Sequence, residues 1–347
     1  MRTIWWDKDR VFFINQRELP AKLEYIVCRE PSRIVTAIKD LEIRGAPAIG
    51  IAAAMSLALT AYNSKAMKRE QLQSELEDCA ETIKKTRPTA WNLFWAVDKV
   101  LKRTRSTKGR VDNMREAVIK EALAIADEDL KTNKTLGTYG ASLLEDGDIV
   151  GTICNAGWLA TAGEYGTALG VIKVAHEQGK KISVIALETR PILQGARLTA
   201  FELKQDGIDV KVISDGAIGY CFSKSLINKF ICGADRVVWS SGCHIFNKIG
   251  TYTASVAASR HHIPFYVAAP FSTFDFEHSV EAVTIEERDP KEVKEIFGHQ
   301  IVPEDVPVLN PSFDVTPPEL ISAIITERGI IYPPFKDNVK SCQGAKH

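Results

Sequence analysis

Two side chains in this sequence are chemically suited to catalysis, and several others to holding an anion. Cys154 closes the apolar, β-branched run 148–153 and leads into Asn155-Ala156-Gly157. A thiol placed near a helix N-terminus and several arginines is where the reactive thiolate is favoured. Asp235 follows Gly233-Ala234. A carboxyl in an apolar setting keeps its proton to higher pH and can act as a general acid near neutrality. Cations recur beside loops: Arg44 before Gly45-Ala46-Pro47, Arg87 before Pro88, and Lys248 in Asn247-Lys248-Ile249-Gly250-Thr251. Arg190, Gln194 and Arg197 lie between them. A cation beside the free amides of a helix start is an anion site in outline. Singly, a free Cys is as a rule a buried hydrophobe and a loop Arg a solvated residue. Their recurrence at the strand ends of one sheet marks a cleft.

The elements that must position these residues are organised around the stretch 148–203. Residues 148–153 read as a buried strand, a Gly-, Ala- and Thr-rich loop follows, and 167–178 reads as a helix stopped by Gly179. Residues 182–187 are the next buried strand. This strand–loop–helix–strand unit implies a parallel sheet, whose ligands bind beyond the C-terminal strand ends. Cys154 stands at one such end and Glu188-Thr189-Arg190 at the next. The loop's small residues, Asn155, Gly157, Gly163, Gly166 and Thr167, would present amides to an anion. Neither a G-x-G-x-x-G run nor a Gly-Lys-Ser/Thr P-loop is present, so a small phosphate ester fits better than a nucleotide.

Before this stretch, 3–6 and 11–15 read as a hairpin, 23–28 as a third strand, and 31–41 as a helix with Pro31 in its first turn. An Ala-rich helix runs to about Tyr62, 70–85 is another, and one begins near 86–89, where Pro88 holds Arg87 extended. Residues 111–145 read as one or two long amphipathic helices. After it come helices over 194–205, 223–230, 251–261 and 317–327. Strands are expected over 210–213, 234–239, 264–269 and 280–286, with a loop over 241–250 and a tail at 330–332. The repeated β/α alternation favours a doubly wound parallel sheet.

Composition sets the bounds. At 347 residues two domains are expected, here 1–130 and 131–347. Lys plus Arg equal Asp plus Glu at 44 each, which speaks against a nucleic-acid surface. No apolar run approaches the roughly 20 residues of a membrane span, and no secretory leader opens MRTIWWDKDR. Seven scattered cysteines without a C-x-x-C pair indicate a reduced, cytoplasmic protein. A metal is not expected, because Cys243-His244 and His261-His262 are adjacent pairs whose side chains point apart.

Seven segments then carry a resemblance along nearly the whole chain: Arg44–Gly50 as RGAPAIG, TRPTA from Thr86, CNAG from Cys154, ETRP from Glu188, QGARLT from Gln194, GADR from Gly233 and NKIGTY from Asn247. In order and content they resemble the methylthioribose-1-phosphate isomerase family. Its superfamily includes ribose-1,5-bisphosphate and 5-deoxyribose-1-phosphate isomerases and regulatory subunits of translation initiation factor 2B. The resemblance implies a small N-terminal β/helical domain, a Rossmann-like C-terminal domain and a homodimer. It also implies an aldose–ketose isomerase of methionine salvage that acts on a sugar phosphate without a cofactor. Cys154 and Asp235 would be its catalytic pair, and Arg44, Gly45, Ala46, Arg87, Gln194, Asn247 and Lys248 would bind substrate. The sequence departs from the family pattern at 241–246, which would place Cys243, His244, Ile245 and Phe246 around an apolar C5 substituent. It departs again at 214–218, where Met is absent after Asp215.

Overall fold

The computed structural model describes residues 1–87, 90–240 and 242–343. They form two compact units: Met1–Asn133 with Trp158–Gly166, and Lys134–Gly157 with Thr167–His347. The division comes three residues beyond the expected 130/131, and 158–166 groups with the first unit.

In the first unit, β1 (Ile4–Asp7) and β2 (Arg10–Ile14) form the expected hairpin, and β3 (Tyr25–Cys28) adds antiparallel to β2. Val11 and Phe13 alternate inward, as a half-buried strand requires. The helices α1 (Pro31–Lys39), α2 (Ala46–Asn63), α3 (Arg69–Lys84) and α4 (Trp91–Ser106) follow, then the long α5 (Val111–Ala141). Helix α2 is apolar on every face, and α1, α3 and α4 all pack against it. By length and composition it could cross a membrane, contrary to the expectation that no apolar run is long enough. Most of it is buried in this unit's core instead, the usual fate of an all-apolar helix in a globular domain.

The second unit opens with β4 (Ile149–Thr152), α6 (Ala168–Glu177) and β5 (Ser183–Leu187), the expected parallel unit. Next come α7 (Ala200–Gln205), β6 (Asp209–Ile213), α8 (Ile218–Ser223) and β7 (Lys229–Cys232). Then follow β8 (Arg236–Val238), β9 (His244–Lys248), α9 (Thr251–Arg260), β10 (Phe265–Ala268) and β11 (Phe274–Asp275). Five more strands follow, β12 (Glu295–Ile296), β13 (His299–Gln300), β14 (Phe313–Thr316), β15 (Ala323–Thr326) and β16 (Gly329–Ile331), and a helix over Phe335–Gln343 comes after them. The main sheet has the order β16-β15-β10-β7-β4-β5-β6, parallel except for β16. This is the expected doubly wound α/β architecture. From β4 the chain steps to β5 and β6, then returns to β4's other side with β7 and β10. The topological switch point therefore lies between β4 and β7, where such sheets leave a crevice at their C-terminal ends.

Four expectations fail, the two helices among them for the same reason. A short apolar run reads equally as a buried strand or a helix segment. Residues 223–230 are not a helix: Ser225 has φ 53°, and Phe230, Ile231 and Cys232 fill the slot beside β4. Residues 317–327 are not a helix either, since Ala323–Thr326 fills the slot beside β10. Residues 241–250 are not one loop, because His244–Lys248 is a strand between β8 and β14. The strand over 280–286 does not form; Val280–Ala282 is a single tight turn. In addition, β8 belongs to a second sheet, β11-β8-β9-β14, rather than to the main one.

Candidate active site

Cys154 lies just past the C-terminal end of β4, and Asp235 just past that of β7. The two strands are hydrogen-bonded neighbours in parallel, about 4.8 Å apart. The switch-point crevice is thus flanked by a thiol and a carboxyl. Asp235 occupies the short crossing in which the chain leaves the main sheet at Cys232 and enters the second at Arg236. Its N–H donates to the carbonyl of Phe246 at 2.9 Å, and Arg236 also pairs with Phe246. Two successive residues opposing one is the pattern of a β-bulge, a device that re-aims a side chain.

The backbone beside Cys154 is unusual. Cys154, Thr189 and Leu193 have φ values of 64°, 66° and 59°. Left-handed conformations at non-glycine residues cost roughly 1–3 kcal/mol each and concentrate at functional sites. Between Thr189 and α7 the helix is wound as a π-helix over Gly195–Thr199. A Cβ on Gly195 would lie 1.7 Å from the carbonyl oxygen of Leu187, so only glycine lets this turn press on β5. Just before it sits Gln194, buried, with Oε1 making no hydrogen bond among the described residues. A buried polar atom without a partner in the protein is a natural contact for a bound polar group.

Asn247 and Lys248 end β9 and lead into α9. Both are buried. Asn247 Nδ2 donates to Thr251 Oγ1 at 3.0 Å, and Lys248 Nζ donates to the carbonyl of Ser312 at 2.9 Å and lies 5.3 Å from the centre of the Phe313 ring. Asp314 stands opposite Asn247 on β14 and accepts from the N–H groups of Gly250 (2.7 Å) and Tyr252 (3.1 Å). Burial pushes its carboxyl up to about 6, against the pull of those amides and of the Lys248 charge. The Cys232 thiol is driven up mainly by burial. Sequence reasoning missed Asp314. A carboxylate beside an apolar strand gives no sign of the helix start it will cap until the strand pairing is known.

Other expectations are corrected here. Gly163 does not face an anion; it bridges to Arg2. A Cβ on Gly157 would meet Glu202 Oε2 at 1.9 Å, so glycine is needed there for close packing. Asn155 Nδ2 donates to Glu202 Oε1 at 2.7 Å. At Gly157 the loop's small residue serves close packing. Arg190 and Arg197 spend guanidinium donors on the carbonyls of Pro191, Val293 and Ile192. Cys243, Ile245 and Phe246 are buried, and Cys243 and Ile245 belong to the hydrophobic core. In the first unit, Arg44 is half-buried and precedes Gly45, which has φ 93° and caps α2 ahead of Ala46. Arg87 is half-buried beyond α3, and Pro88 and Thr89 lie outside the described residues.

If the Lys248 ammonium holds an anionic substrate, Lys248→Ala should lower kcat/KM mainly through KM. A charge-assisted hydrogen bond is worth about 1.5–3 kcal/mol, so a loss of roughly 10- to 150-fold is expected. Steady-state kinetics decide it: an unchanged KM with a depressed kcat would assign Lys248 to the chemistry instead.

Comparison with known proteins adds four likenesses. The model of the initiation factor 2 subunit family matches residues 42–333. A methylthioribose-1-phosphate isomerase of Thermosipho melanesiensis is 50% identical over 339 residues, 97% of each chain. Among solved structures, a 5-methylthioribose 1-phosphate isomerase from Pyrococcus horikoshii OT3 superposes with TM-score 0.91 at 42% identity, covering 99% of this chain and 95% of that one. A structure described as translation initiation factor eIF-2B, subunit delta, from A. fulgidus gives TM-score 0.87 at 48% identity, covering 99% of both chains.

Proposed function

The chain belongs to the initiation factor 2 subunit family, and from that premise we propose that it is an aldose–ketose isomerase converting 5-methylthioribose 1-phosphate to 5-methylthioribulose 1-phosphate, a step of methionine salvage. The observation that carries the reading is the thiol of Cys154 and the carboxyl of Asp235 at the ends of adjacent parallel strands, at the sheet's switch point.

The chemistry asks for such a pair. An aldose 1-phosphate has its anomeric oxygen esterified, so the ring cannot open by loss of a hydroxyl proton. Asp235, protonated, donates to the ring oxygen as the C1–O bond breaks, leaving a cationic C1. Cys154, as thiolate, takes the proton from C2 and gives an enol. The thiol then returns that proton to C1, and the C2 hydroxyl proton goes to the Asp235 carboxylate. The product is the 2-ketose, and both side chains end as they began. Gln194, Asn247 and Lys248 hold the substrate in the second unit. Arg44, Gly45, Ala46 and Arg87 are proposed as phosphate ligands on their sequence pattern and on the helix start that Gly45 caps. We further assign a homodimer in the cytoplasm, with no nucleic-acid or membrane partner; the balanced charge supports the absence of a polyanion surface.

The test is a panel of ribose 1-phosphates differing at C5, with NMR detection of ketose. The methylthio compound should be used with kcat/KM at least about tenfold above that of ribose 1,5-bisphosphate, whose second phosphate dianion is costly to desolvate. Equal or better use of the bisphosphate would move the assignment to that substrate. The second reading, a regulatory subunit, is favoured by the likeness to the eIF-2B subunit delta structure. It requires that no member of the panel turn over.

A further inference from the structure

We propose that Thr189 and Thr199 are positioning residues that hold the main chain of Cys154 from both sides and so aim its thiol. The inference rests on the reading of Cys154 as the reacting nucleophile and base. Cys154 has φ 64°, and its peptide groups are the ones the two threonines grip. Its N–H donates to Thr189 Oγ1 at 2.8 Å, and its carbonyl accepts from Thr199 Oγ1 at 2.6 Å. Both threonines are fully buried, so water does not compete for these bonds.

Each hydroxyl is itself fixed. The Thr189 hydroxyl donates its one proton to the carbonyl of Leu187 at 3.0 Å, which leaves a lone pair turned to the Cys154 N–H. Thr189 is β-branched yet sits at φ 66°. The Asp215 carboxylate holds it there, accepting from the N–H of Thr189 at 2.8 Å and of Arg190 at 2.7 Å. On the other side, Thr199 closes the π-helix Gly195–Thr199, in which the N–H of Ala200 reaches back to the carbonyl of Gly195. Its oxygen also accepts from Asn155 Nδ2 at 3.4 Å. One segment, from Thr189 to Thr199, therefore clasps Cys154 at both ends and carries Gln194, with its unpartnered Oε1, between them.

The physical consequence concerns direction. At a left-handed φ the Cα–Cβ bond leaves the chain along a different line from that of an extended residue. Without the two bonds Cys154 would relax toward a commoner φ and swing Sγ off the reacting carbon. A displacement near 1 Å can cost on the order of 100-fold in rate. The affinity of the phosphate site should hardly change.

The experiment compares Thr189→Val, Thr199→Val and the matching Ser substitutions in the full chain. Kinetics of ketose formation are measured together with the rate at which iodoacetamide alkylates Cys154, read by peptide mass mapping without substrate. Thermal melting identifies any variant that fails to fold. The Val variants should lose roughly 10- to 100-fold in kcat with KM within about threefold, and their Cys154 alkylation rate should shift at least about threefold. The Ser variants, which keep the hydroxyl, should restore both. If Thr189→Val does not fold, Thr199→Val and its Ser partner decide the matter. Folded Val variants with wild-type kcat and alkylation overturn the clamp, as does a Ser variant no better than its Val partner. Should the unmutated chain turn over no sugar phosphate, the isomerase reading falls, and the alkylation rates still decide the clamp.

Discussion

Cys154→Ala should lower kcat by about 10²- to 10⁴-fold, the span usual for loss of a positioned acid–base group, with substrate affinity within about threefold. The geometry makes this substitution a clean one. The hydrogen bonds that fix Cys154 are made by its N–H and its carbonyl, and an alanine keeps both. The backbone at φ 64° is as strained for Ala as for Cys, so little structural relief is expected. What is removed is the thiol alone. Time courses by NMR give kcat, and calorimetric titration with substrate gives the affinity. A variant turning over near the wild-type rate would take Cys154 out of the mechanism. One that neither binds nor turns over would mean that the thiol supports the site rather than the reaction.

Asp235→Asn should be comparably severe, with kcat down by about 10²- to 10⁴-fold. Asn matches the carboxyl in size and can donate a hydrogen bond, but it cannot release a proton to the ring oxygen. The contact that places the residue, from its N–H to the carbonyl of Phe246, is again a main-chain bond and survives. Loss of ring opening should leave substrate bound and unopened, so the bound sugar in the variant should give the carbon spectrum of the closed ring. Full turnover by Asp235→Asn would assign ring opening to another acid. Asp314 is the first alternative, because its carboxyl is already pushed up to about 6 by burial. A profile of kcat against pH in Asp314→Asn would then identify it.

Residue types, punctuation and local period were enough to place β4, α6 and β5 and to seat Cys154 at a strand end; Gln194, Asn247 and Lys248 were marked as substrate ligands by the family resemblance. These features are local: a β-branched run bounded by loop residues, a helix stopped at Gly179, a Pro in a first turn. The hairpin and the helices of the first unit were legible on the same grounds. What the sequence could not decide was the partner of each short apolar run. Residues 229–232 and 323–326 became strands because parallel slots stood open beside β4 and β10, and backbone groups buried there must be paired. That pairing turned Asp235 from a residue near the start of one strand into a group just past the end of another, the parallel neighbour of the strand that leads to Cys154. It also drew Cys243 and Ile245 into the core and set Asp314 against the start of α9. Only the tertiary structure decided these, because hydrogen bonds between strands far apart in the chain leave no periodic trace in the residues that make them.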